Sequence, residues 1–263
     1  MEEFLKSFDP PELPGRVVAG IVPHAGWYYS GRTAARVFSS IKSRRSPRTF
    51  ILLGTVHVPG VRTNSLFSEG EWVTPLGSLK VDETLAERLL DLMPEILIPN
   101  TGAHTHEHSI EVQTPMIKYL FPDAMILPIA VPPSDDALEL GAGIGKLIVQ
   151  EGIDAVVIGS TDLTHYGDNY GFTPAGYGEK AHMWMLGNDG RIISLAVEMN
   201  AEWILREAAK NHNACGPGAM AATVAAAKAM GAERGYIIER TTSHDVRPSG
   251  GFDMAVGYAG IVF

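Results

Sequence analysis

The stretch Asp154-Ala155-Val156-Val157-Ile158-Gly159 passes without a break into Ser160-Thr161-Asp162-Leu163-Thr164-His165-Tyr166-Gly167. Its first half, short, apolar and β-branched, reads as a strand; its second half is polar and rich in groups that do chemistry. The same succession recurs three times. Residues 17–22 run into Pro23-His24-Ala25-Gly26-Trp27-Tyr28-Tyr29-Ser30-Gly31, residues 49–53 into Gly54-Thr55-Val56-His57, and residues 235–240 into Thr241-Thr242-Ser243-His244-Asp245. Further strands are expected over 124–131 and 254–263, and helical spacing covers 31–42, 82–92, 108–120, 134–150, 179–186, 201–211 and 218–230. Strands alternating with helices define an α/β chain with a largely parallel sheet. In such a sheet the carboxyl ends of the strands share one edge, where ligands bind, so His24, His57, Asp162, His165 and His244 are expected to converge there.

Outward from these motifs, the chain to Gly15 holds three prolines and no period, and reads as a surface arm ahead of one domain spanning residues 1–263. Between Asn64 and Val81 short extended pieces broken by Gly and Pro predict a small antiparallel excursion. Lys plus Arg number 21 and Asp plus Glu 30, so the formal charge is 21 minus 30, or −9. That balance, with no basic run, argues against nucleic-acid binding. Apolar residues at 45% suit a folded core, and no run of some 18 apolar residues predicts a membrane span. The lone cysteine, Cys215, and the lack of a leader-like N-terminus point to a reduced, cytoplasmic setting.

Two further segments carry chemistry. Gly102 to Gln113 contains His104, His106, Glu107, His108 and Glu111. A helix starting near His108 would turn His108 and Glu111 towards the pocket rim, although Glu107 and Glu111 also read as the acidic first turn that a helix dipole favours. Cys215, in Asn213-Ala214-Cys215-Gly216-Pro217-Gly218, precedes a helix of small residues. A helix N-terminus lowers a thiol pKa and makes a metal ligand or a nucleophile; a small buried hydrophobe is the other reading.

Taken together, VPHAGWYYSGRTAARVF, His57 after LLG, EHSIEVQTP, GSTDLTHYG, ACGPGAMAA and VGYAG resemble the Memo family, in order and across nearly the whole chain beyond residue 16. The family includes proteins encoded beside a radical SAM protein and a companion domain. The resemblance implies a fold similar to the class III, non-haem iron extradiol ring-cleaving dioxygenases, with a central mixed, mostly parallel sheet and helices on both faces. It implies a metal pocket whose ligands fall on His24, His57 and Cys215, with an acid/base role on His165. The chain departs from many relatives in having Thr55-Val56-His57 where they have Ser-His-His, and in having Cys215 where a carboxylate would complete a facial triad.

These readings lead to a metal-binding protein with oxidoreductase or dioxygenase-like activity. Iron(II) is the leading metal, copper and zinc the alternatives, and Asp162 and His165 serve as catalytic neighbours. Tyr28, His108, Glu111 and His244 are expected to line the pocket; a second reading is a non-catalytic module in which the same pocket takes an anionic side chain or peptide, with Trp27, Tyr28, Tyr29 and Trp72 as contact area. A third is a thiol hydrolase with Cys215 as nucleophile and His165 or His24 as base.

Overall fold

Strands buried on both faces can be made only of small and branched apolar residues, and Ala19-Gly20-Ile21-Val22, Thr49 to Gly54 and Ala155 to Ser160 are buried along their whole length. The computed structural model describes residues 2–6, 8–248 and 250–263. Met1 and Ser7 of the expected arm, and Ser249, lie outside the described residues. The first half of the chain runs α1 (Glu2–Leu5), β1 (Ala19–Val22), α2 (Trp27–Lys42), β2 (Thr49–Gly54), β3 (Asn64–Leu66), β4 (Glu71–Thr74), β5 (Gly77–Lys80), α3 (Glu83–Leu92) and β6 (Leu97–Pro99). It continues with α4 (Thr114–Leu120), β7 (Met125–Ala130), α5 (Asp136–Glu151), β8 (Ala155–Ser160), β9 (His165–Tyr166), α6 (Glu179–Val197), α7 (Ala201–Asn211) and α8 (Pro217–Ala229). The last elements are β10 (Tyr236–Thr242), α9 (Ser243–Val246) and β11 (Ala255–Val262).

The main sheet has the order β10-β11-β1-β8-β2-β7-β3-β6, with β9 paired to β11. Strands β1, β8, β2 and β7 are mutually parallel, while β11 and β3 enter antiparallel at either side, which makes the sheet mixed. Alternation sorts the core. Phe50 and Leu52 pack with Phe38 and Ile41 of α2 and Met116 and Ile117 of α4, whereas Ile51 and Leu53 pack with Leu140 and Ile144 of α5 and Val224 of α8. Helices therefore cover both faces, as expected, and all belong to one sheet-centred domain. Helices α5 and α8 touch most closely. A Cβ on Gly141 would lie 2.1 Å from the Ala222 carbonyl oxygen, and one on Gly145 2.5 Å from that of Ala226, so the i, i+4 glycines set the approach.

Several boundaries differ from expectation for identifiable reasons. The arm begins with the short helix α1, whose Phe4 ring lies edge-on to Trp27 at 6.5 Å and fills the space above Gly31. Only β4 and β5 form the antiparallel excursion; β3 joins the main sheet. Helix α6 runs on to Val197 through Gly187 and Gly190, because the buried face of Ile192, Ile193 and Ala196 outweighs the two glycine penalties. The helix expected from His108 does not start there: Glu107 to Ile110 is irregular, a 3-10 turn occupies Glu111–Gln113, and α4 begins at Thr114. No helix among the described residues is long and apolar enough to cross a membrane.

Candidate functional site

Three of the expected polar clusters meet at the carboxyl edge of β1, β2 and β8. The imidazoles of His24 and His57 lie edge-on with centroids 5.3 Å apart, and Cys215 Sγ is 3.2 Å from His24 Nε2. One ligand atom from each of His24, His57 and Cys215 falls within 4.8 Å of the others, close enough to share one ion at the bond lengths usual for imidazole and thiolate.

Hydrogen bonds decide which ring nitrogens are available. Ser160 at the end of β8 has one hydroxyl proton, which it donates to the Ser109 carbonyl at 2.7 Å. Its oxygen must then accept at 3.1 Å from His24 Nδ1–H, as it does at 3.2 Å from Gln113 Nε2. His24 Nε2 is thus left bare, facing the sulfur. Burial, with His57 as the next contributor, pushes the His24 pKa down to about 3, so the ring is neutral at physiological pH.

His57 is set in the same way by a carboxylate. Its Nδ1–H donates to Glu107 Oε1 at 2.9 Å and its backbone N–H donates to Glu107 Oε2 at 2.6 Å, while Ser109 N–H donates to Oε1 at 2.9 Å. Burial works against the charge of Glu107, but these donors outweigh it and hold its pKa down at about 2. A carboxylate on the far nitrogen of an imidazole is the usual outer partner of a metal-binding histidine. Glu107 therefore does not serve as a first-turn acid.

Cys215 departs from the expectation of a lowered pKa. It precedes α8, but burial pushes its thiol up to about 12, with the Asp162 charge adding to the shift. The N–H of Asp162 donates to the sulfur at 3.3 Å, and the thiol proton points to the bare His24 Nε2. The short cysteine loop is seated by Gly216, where a Cβ would lie 2.1 Å from Thr55 Oγ1.

Asp162 and His165 flank this group in different ways. Asp162 Oδ1 accepts from the backbone N–H groups of His24 and Ala25 at 2.7 and 3.2 Å, so it holds the main chain of the His24 loop rather than an imidazole. Burial is the leading influence on its carboxyl and raises its pKa. His165 Nδ1–H donates to the Leu163 carbonyl at 3.0 Å, which leaves Nε2 for the cavity side. That cavity, of about 460 Å³, is lined by Asp162, His165, His108 and Tyr29, with His244 and Arg247 at a further wall.

The remaining expected residues are placed unevenly. His108 sits at the rim, stacked on His57 at 4.9 Å and edge-on to His24 at 5.4 Å. His244 lines the cavity. Glu111, without the expected helix, is exposed and lines a neighbouring cavity instead. Tyr28 is 66% exposed and stands outside, while Tyr29 takes the lining place. Ser160, Gln113 and Glu107 carry the tautomers, and their partners lie up to 136 residues away in the chain, where no local pattern points.

A mixed α/β sheet that gathers two imidazoles and a thiol at one edge, with Asp162 and His165 beside them, defines the class: a sheet-edge protein with a candidate metal centre. The chain matches the model described as "Memo-like protein" over residues 1–262. It is 39% identical to a MEMO1 family protein of Pyrococcus furiosus, over 94% of this chain and 86% of that one, and 34% identical to one of Pyrococcus abyssi, over 100% and 92%. The chain belongs to the Memo family. Its fold is shared with an uncharacterised protein of Escherichia coli K12, with a TM-score of 0.56 and 12% identity over 92% of this chain and 99% of that one. The mixed-sheet architecture implied by the resemblance is the one observed.

Proposed function

We propose that the chain binds a metal ion through His24 Nε2, His57 Nε2 and Cys215 Sγ and acts as an oxidoreductase of dioxygenase-like type on a small molecule. The observation that carries this reading is the pair of bare Nε2 atoms, each fixed by a hydrogen bond on the opposite nitrogen and gathered around a single thiol. Two imidazoles and a sulfur suit iron(II) first, and copper or zinc as alternatives. Such an ion, held by these three residues, would supply electron transfer and Lewis acidity. The chain's own groups do the rest. His165 keeps Nε2 ready to take or give a proton to a ligand in the cavity, and Asp162 holds the His24 loop so that its ring faces Cys215.

A second reading, a non-catalytic module for an anionic ligand, is favoured by Arg247, which lines the cavity and forms no ion pair among the described residues. No observation favours the thiol hydrolase, since the Cys215 thiol is pushed up to about 12 and is turned to His24 rather than to the cavity. A functional link to a radical SAM protein and a cytoplasmic setting belong to the proposal, on the strength of the family resemblance.

Anaerobic titration of iron(II), copper(I) and zinc(II) into wild type, His24→Ala, His57→Ala and Cys215→Ser tests the reading. Each variant should lose more affinity than the roughly 10–100-fold that follows loss of an outer partner. Equal affinities in all four proteins would overturn it. Oxygen uptake by the iron-loaded protein with candidate phenols separates the oxidoreductase from the binding module.

A further inference from the structure

Asn and Asp are weak helix formers and costly to bury, yet Asn188 and Asp189 are both buried within α6. Their hydrogen bonds run to the two loops that carry His165 and Cys215. Asn188 Nδ2 donates to Thr164 Oγ1 at 2.9 Å and to the Asn211 carbonyl at 3.0 Å, and the Asn188 carbonyl accepts from Asn213 Nδ2 at 2.8 Å. Asp189 Oδ1 accepts from the Thr164 N–H at 3.0 Å. Thr164 directly precedes His165, and Asn213 lies two positions before Cys215. Arg191 completes the arrangement: it donates to Asn188 Oδ1 and, through Nε, to Glu207 Oε1 at 2.9 Å, the same oxygen that accepts from Asn213 Nδ2 at 3.0 Å. Asn188, Arg191, Glu207 and Asn213 thus form a closed ring that leaves no amide proton of either asparagine unused.

A buried network whose donors are engaged rigidifies what it joins. The two loops also touch directly, where the Cys215 N–H donates to the Asp162 carbonyl at 3.2 Å, but that contact lies between the functional residues themselves. Asn188 ties the flanks. We propose that Asn188 is a positioning residue, which fixes the Thr164–His165 segment against the Asn213–Cys215 segment and so sets the distance between the Cys215 sulfur and the His165 ring. The inference rests on the metal reading, in which the sulfur is a ligand and His165 moves a proton beside it. The bland alternative is that Asn188 only satisfies loop ends, and that its loss costs stability without moving either side chain.

Cys215 is the single cysteine, so its labelling by methyl methanethiosulfonate in the metal-free full chain reads the opening of its loop. Wild type is compared with Thr164→Val, Thr164→Ser, Asn188→Ala and the double variant Asn188→Ala/Thr164→Val. Leu89→Ala, in α3, which packs on β6 and β7, controls for lost stability. Thr164→Val removes the hydroxyl at nearly constant volume and should speed labelling about fivefold, the worth of one buried hydrogen bond; Thr164→Ser should restore the wild-type rate. Asn188→Ala should speed it about tenfold, and the double variant no further, because both substitutions cut the same tie. Leu89→Ala should label as wild type does. In the cobalt(II)-loaded chain the sulfur-to-cobalt charge-transfer band should move in Asn188→Ala and stay in place in Leu89→Ala. Unchanged labelling in Thr164→Val, no rescue by Thr164→Ser, additive effects in the double variant, Leu89→Ala matching Asn188→Ala or an unmoved cobalt band would each overturn the proposal. Should Asn188→Ala fail to fold, the two Thr164 variants decide. A wild-type cobalt complex without that band would refute the metal reading instead, and labelling would still judge the tie between the loops.

Discussion

Replacing Glu107 with Gln isolates the residue that orients His57. In the native chain this buried carboxylate accepts three N–H bonds, and its pKa is held at about 2 against an ordinary value of 4.5. Lowering the pKa from 4.5 to about 2 corresponds to roughly 3 kcal/mol favouring the ionised form in the folded chain. A glutamine keeps one accepting oxygen and turns an NH₂ towards a donor, so metal-free Glu107→Gln should be less stable by about 3 kcal/mol at pH 7. The sign follows from the depressed folded pKa. The contribution is present above 4.5 and is lost as pH falls towards 2, so the gap between the two proteins should narrow below pH 4.5. The assay is urea unfolding in EDTA at pH 7 and pH 4, paired with a zinc titration in which the variant should bind about 10–100-fold more weakly. A variant within about 0.5 kcal/mol of wild type at pH 7, with unchanged zinc affinity, would refute the assignment of Glu107 as the anchor of His57.

Other outcomes follow from the same geometry. His165→Ala should keep its metal while any turnover falls by roughly 10²–10⁴, and loss of metal would move His165 among the ligands. Asp189 is buried, with Oδ2 unpartnered, and burial raises its pKa from 3.8 to about 6. Its contribution to stability is therefore full below 3.8 and lost as pH rises through 6, so Asp189→Asn should gain up to about 3 kcal/mol on wild type between pH 4 and pH 8; a pH-independent difference in melting temperature would contradict this. Gly141→Ala should destabilise by about 2 kcal/mol despite a helix-propensity gain near 1 kcal/mol, because its Cβ meets the Ala222 carbonyl. Gly187→Ala, with nothing within 4 Å, should stabilise instead, and the pair is compared by thermal melts.

The parts of this molecule legible in the sequence are those in which one short segment carries its own explanation. A β-branched run followed by a polar cluster is a local pattern, and it places His24, His57, Asp162 and His165 at one sheet edge. Glu107 is different. The residue bonds its own neighbour Ser109, but its role depends on His57, fifty positions earlier in the chain. Its own sequence context matches the first turn of a helix that never forms there. For Cys215 the sequence points to the right place and to the wrong charge. A helix N-terminus and a dense shell of protein pull a thiol in opposite directions, and only packing shows that the shell dominates. Strands β3 and β6, three residues each, are too short for period-2 alternation to register. The full length of helix α6 is hidden because Gly187 and Gly190 read as punctuation, while Ile192, Ile193 and Ala196 beyond them are buried.

Strand β11 bears on the order in which the site can assemble. It lies between β1 and β10 and is the sheet partner of β9, where Val256 faces His165 and Ala255 faces Tyr166. The trio of His24, His57 and Cys215 is carried by the loops after β1 and β2 and the loop before α8, all of which precede β11 in the chain. His165 has no strand to lean on until residues 255 and 256 arrive. During synthesis from the N-terminus the pairings among β1, β2 and β8 become available first, and those of β9 last. His24, His57 and Cys215 can thus gather while His165 is still loose, and His165 takes its place beside them only when the final strand is in.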